Sequence, residues 1–177
     1  MEQQEVTEKV TTRSAGVRYG LISAVISIAL FLVMAVAKMD MQGPARWLGL
    51  PIGIVLIVLA HKYFKDNGDG YMSYGQGIGI AFWMALVSSA ISSVFSYIYM
   101  KFVDTGFTEA MKDQQIEAME KQGMSQAQID QAMSFSAPFF TPEAMLIMGL
   151  IMGVIMSVII ALIVTIFTKK DAPQAMI

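Results

Sequence analysis

Charge falls along this chain in short bursts separated by long runs that carry none, and this spacing constrains the fold more than any other feature. No charged side chain occurs between Arg18 and Lys38, between Asp69 and Lys101, or between Glu143 and Lys169. A run of ~18 or more apolar residues reads as a membrane-crossing helix, because ~20 residues rising ~1.5 Å each traverse a ~30 Å hydrocarbon layer. A fourth, shorter run lies between Arg46 and Lys62, whose long side chains can reach the two interfaces. Only 15% of the residues are charged and 55% are apolar, so little material remains for a separate soluble core.

The expected fold is therefore all-α: a four-transmembrane-helix bundle in a single integral membrane domain over residues 1–177. The spans are placed at about 19–37, 45–64, 74–100 and 144–168. Gly43-Pro44 and the polar run Lys65-Asp66-Asn67-Gly68-Asp69-Gly70 read as turns. The first run also ends on Ala35-Val36-Ala37, which resembles a cleavage site, but its length and its acid-containing flank favour an anchor.

Residues 101–141 form the one sizeable loop, with six acidic residues against three lysines. Thr108–Gln122 has the composition of a short helix, which Gly123 is placed to end. Ser125 and Gln128 have capping-box spacing for a second helix through about Phe135. A helical hairpin outside the membrane is expected between the third and fourth spans.

Basic residues near span ends favour the cytoplasm. Lys9, Arg13, Arg18, Lys62, Lys65, Lys169 and Lys170 share one side, against Lys38, Arg46 and Lys101 near span ends on the other. Both termini are thus expected inside and the acidic loop outside. The net charge of −2 and the lack of a basic arm leave no case for nucleic acid. With no cysteine, thiol chemistry and disulfides are excluded.

Small residues recur every fourth position on two spans. Gly77, Ala81, Ala85, Ser89 and Ser93 form one ladder; Gly149, Gly153, Ser157, Ala161 and Thr165 form the other. Residues four apart share a helix face, and small side chains let backbones approach closely. Shorter versions are Gly16/Gly20/Ala24 and Gly49/Gly53. Their ordinary use is packing within the bundle; the sharper one is association with a second copy or another membrane protein.

The third span is rich in serine, at Ser88, Ser89, Ser92, Ser93 and Ser96. Hydroxyls there serve interhelical hydrogen bonds or line a path for a polar solute. Met145, Met148, Met152 and Met156 follow helical spacing; thioethers bind Cu(I), but such a stripe more often packs or meets lipid. His61, the single histidine, is expected to snorkel at an interface. No charged residue lies deep in a span, which disfavours ion-coupled transport.

Particular segments also carry a resemblance. Gly70-Tyr71-Met72-Ser73-Tyr74-Gly75-Gln76 at the third span's entry, Tyr97-Ile98-Tyr99 with Phe102-Val103-Asp104 at its exit, Gly123-Met124-Ser125 through Gln128-Ile129, and Lys169-Lys170 resemble the bacterial domain of unknown function 4199. The resemblance implies a small four-span protein of the bacterial inner membrane, with no assigned activity and no site residues to carry over. Together the readings give a non-enzymatic membrane component without cofactor or metal, whose partners are the lipid bilayer and a second copy or another membrane protein. A small passive transporter or carrier for a polar or amphipathic molecule is the alternative.

Overall fold

The computed structural model describes residues 10–39 and 44–173, and among them the chain is all-helical apart from one isolated β-bridge. Six α-helices follow one another: α1 (Thr12–Val36), α2 (Gly49–Asp66), α3 (Tyr74–Ile98), α4 (Phe107–Lys121), α5 (Gln126–Ser136) and α6 (Pro142–Thr168). The Gly43-Pro44 turn falls partly outside the described residues, and a 3-10 turn over Pro44–Leu48 leads into α2.

Local chemistry sets the boundaries. Thr11 and Ser14 form a capping box, so α1 begins well before the uncharged run at Tyr19 and carries Arg13 and Arg18 on its first turns. Ser73 and Gln76 cap α3 in the same way, as do Ser125 and Gln128 for α5. Gly123 adopts φ +79°, a left-handed conformation suited to ending α4. The start of α6 joins a Thr141 cap to Pro142, whose missing N–H costs nothing in a first turn.

Among the described residues three helical segments, Thr12–Val36, Tyr74–Val103 and Pro142–Thr168, are long and apolar enough to cross a membrane. The second of these includes a π turn over Tyr99–Val103 that continues α3. The sequence leads to an expectation of four. α2 is not among the three because it gathers the charges of Lys62, Lys65 and Asp66 at one end.

α3 is the central element. It runs parallel to α1, with Gly16 beside Ile80 and Trp83 and Gly20 beside Met84 and Val87. It runs antiparallel to α6, with Gly77 beside Thr165 and Gly149 beside Ser93. α2 lies against α1 and α6. Its buried residues are Leu56, Ile57, Ala60, His61 and Phe64, all from its middle onward.

Two apolar clusters result. The larger joins Ala15, Leu56, Ile57, Ala60, Phe64, Ile80, Met84, Ala161 and Val164 at the His61 end. The smaller joins Ala35, Met100 and Phe107, with Phe31, Tyr99, Met111 and Met145 packed on it, at the hairpin end. The segment between them is left underfilled.

Candidate functional site: a serine-lined cavity

The two ladders on α3 and α6 face each other in register. A β-carbon at Gly77 would lie 2.5 Å from Thr165 Cγ2, one at Gly153 2.9 Å from Ser89 Cβ, and one at Gly149 2.8 Å from Ser93 Oγ. These contacts fix an antiparallel pairing in which Ala81 falls level with Ala161 and Ala85 with Ser157. The close approach is thus used inside the chain. Gly16, Gly20 and Ala24 are buried against α3 in the same manner. Gly49 and Gly53 differ, since a β-carbon at either would meet nothing within 4 Å.

That difference opens a cavity of about 710 Å³ between the helices, within the ~300–1,000 Å³ span of small-molecule sites. α3 supplies Ser88, Ser89, Ser92, Ser93 and Ser96 to its wall. α1 adds Ser23 and Ser27, and α6 adds Ser157 with Gly149 and Gly153. Ile57 and Met84, from the larger cluster, form the floor. Phe31, Met100, Phe107, Met111 and Met145, from the smaller one, form the roof. The flank toward the start of α2 is built from Trp47, Gly49, Leu50 and Gly53, where the wall is thinnest.

The serines are only partly spent on the protein. Ser88 Oγ donates to Ser23 Oγ across 3.1 Å, pinning α3 to α1. Ser89 Oγ donates to the Ala85 carbonyl of its own helix at 2.6 Å. Ser92 Oγ is buried without a hydrogen-bond partner. Among the described residues no charged side chain contributes to the wall. Sequence alone shows the serine cluster on α3, but not that α1 and α6 add hydroxyls to the same space.

Below the floor, His61 departs from the expected interfacial position. It is fully buried, with Nε2 2.9 Å from the Gly77 carbonyl oxygen and Nδ1 2.8 Å from Thr168 Oγ. A carbonyl can only accept, so Nε2 carries a proton and the ring ties α2 to α3. Lys65 Nζ donates to the Thr168 carbonyl at 2.8 Å, adding a second tie from α2 to α6.

The motifs at the entry to α3 and the exit of α6 meet at this end. Met72 and Lys170 exchange backbone hydrogen bonds of 2.8 and 2.9 Å, the Lys170 ammonium lies 5.3 Å from the Tyr71 ring centre, and Tyr74 Oη donates to the Leu162 carbonyl. Arg18 stacks on Tyr63 at 4.6 Å and donates to its hydroxyl. At the other end Lys101 pairs with Glu143 at 2.7 Å and donates to Tyr97 Oη at 2.6 Å. The methionine stripe on α6 is mostly exposed: Met148, Met152 and Met156 all lie at the surface, and Met145 and Met156 also reach the cavity wall.

Among the described residues no group of three or more His, Asp or Glu side chains is placed to hold a metal ion. A family model described as "Protein of unknown function (DUF4199)" matches residues 18–170. No curated protein and no solved structure matches the chain.

Proposed function

Because the chain belongs to the DUF4199 family, whose description assigns no role, we propose a function from the cavity: a non-enzymatic integral membrane protein that holds a small polar or amphipathic molecule among its helices. The single observation carrying this reading is that serines from α1, α3 and α6 line one common space between the helices, while Ser88, Ser89 and Ser93 also hold α3 against its neighbours. Floor and roof are both apolar, so the arrangement favours a binding pocket or passive carrier over an open pore. The wall offers hydroxyls but no acid, base or paired carboxylates, which supports binding without chemistry.

In this reading α1, α3 and α6 span the bacterial inner membrane and α2 crosses beside them. Both termini face the cytoplasm, and the α4–α5 hairpin lies outside, in keeping with the basic residues at the His61 end. The second reading, an accessory component packing with itself or another membrane protein, draws on the hairpin's exposed Phe135 and Phe139.

Extraction in a mild detergent followed by native mass spectrometry tests both. The cavity reading expects a small non-covalent mass on the protein that is lost in Gly53→Trp, a substitution that fills the space. A particle carrying no small molecule would overturn it. A strictly monomeric, partner-free particle would overturn the second reading.

A further inference from the structure

We infer that the cavity takes an uncharged amphiphile with a hydrogen-bonding head group, which enters sideways past Gly49 and Gly53. The inference rests on the cavity reading above and narrows it to one class of ligand and one route.

The head group follows from what the wall contains and lacks. Among the described residues, a charged group transferred into this space would meet no countercharge, because every polar lining side chain is a serine apart from the indole of Trp47. The ion pair at the hairpin end, Lys101 with Glu143, is satisfied within itself. An unpaired charge in such surroundings costs several kcal/mol, whereas a hydroxyl or ester carbonyl is served by serines that both donate and accept. Ser96, half-buried and on the same helix as the other lining serines, is the hydroxyl placed to serve such a head. The remainder of the wall is aliphatic, methionine and aromatic surface, which suits a hydrocarbon chain.

The route follows from which residues stand at each side. The apolar cluster around Ile57 and Met84 lies at the His61 end, and Phe107 with Met100 and Phe31 at the hairpin end. On the flank, Gly49 and Gly53 leave open space and Leu50 is exposed. That flank would face the hydrocarbon of the bilayer, where a neutral amphiphile is already dissolved.

The test reconstitutes the full chain in phosphatidylcholine vesicles with one of two photoreactive probes at pH 8. One is a monoacylglycerol with a diazirine in its acyl chain; the other is the fatty acid with the same chain, present as its carboxylate. Mass spectrometry of the cross-linked peptides locates the labels. The monoacylglycerol is expected to label the cavity-facing segments of α3 and α6 at least about tenfold more than the carboxylate does. The double variant Ser92→Ala/Ser96→Ala is expected to narrow that preference, and Gly53→Leu, placed in open space, to cut labelling by both probes. Equal or stronger labelling by the carboxylate would overturn the neutral head group and leave the cavity reading standing. Unchanged labelling in Gly53→Leu would overturn the side entrance. Labelling confined to the outer faces of α1 and α6 with both probes would overturn the cavity reading itself.

Discussion

A β-carbon added at Gly16 would lie 2.5 Å from Trp83 Cβ and 2.7 Å from the Ile80 carbonyl oxygen. Backbone cannot step aside as a flexible side chain can, so Gly16→Ala should push α1 off α3 and cost ~1–3 kcal/mol. At Gly53 the same substitution meets open space and should gain ~0.5–1 kcal/mol from the better helix former. Unfolding by denaturing detergent, followed by circular dichroism, checks the opposite signs. The two sites cannot be told apart in the sequence, where both are glycine in a small-residue repeat. His61 illustrates the same limit, since its place in the sequence beside Lys62 and Tyr63 gives no hint of a carbonyl on another helix. Replacing it with leucine keeps the volume near that of the ring but leaves Thr168 and the Gly77 carbonyl without their contacts. His61→Leu should therefore cost ~1–3 kcal/mol in the same unfolding experiment, and a value near zero would remove its role as a tie.

At the level of elements, the helices that cross the molecule were readable because missing charge and capping residues are local signals. Thr11/Ser14, Ser73/Gln76 and Ser125/Gln128 announce their helices at a spacing that needs no tertiary information. The cavity is only half readable, because it depends on which face of α2 meets open space. Nothing in Gly49-Leu50-Pro51-Ile52-Gly53 reveals that Gly49 and Gly53 face open space while Ile52 and Ile54 pack on the core. The hairpin is anchored by a single aromatic. Phe107 packs on Phe31 at 5.5 Å and Tyr99 at 6.1 Å and forms part of the cavity roof. Phe107→Ala should cost ~3–5 kcal/mol at that end. Hydrogen exchange should then rise across α4 and the π turn, while the His61 end stays protected. Uniform loss of protection would mean that the two clusters are not separable.

For the whole molecule, the decisive question is what α2 does. Its 18 residues extend ~27 Å, close to the ~30 Å of a hydrocarbon layer. Its charges gather where Arg18 and Tyr63, and Lys65 and Thr168, tie it to α1 and α6. A helix held at one end and of nearly spanning length crosses the layer if its other end, at Trp47, reaches the far interface. Because the chain contains no cysteine, single cysteines report this directly. Trp47→Cys and Gln131→Cys are expected to react with a membrane-impermeant maleimide on intact cells, and Asn67→Cys only after permeabilisation. All three positions are exposed on the protein surface, so the protein itself shields none of them. Protection of Trp47→Cys alongside a reactive Gln131→Cys would make α2 a re-entrant element, and the cavity's thin flank would then open at a different depth in the bilayer. Reaction of Asn67→Cys on intact cells with Gln131→Cys protected would invert the topology, because the bundle's antiparallel pairing of α3 with α6 places the hairpin and the His61 end on opposite faces.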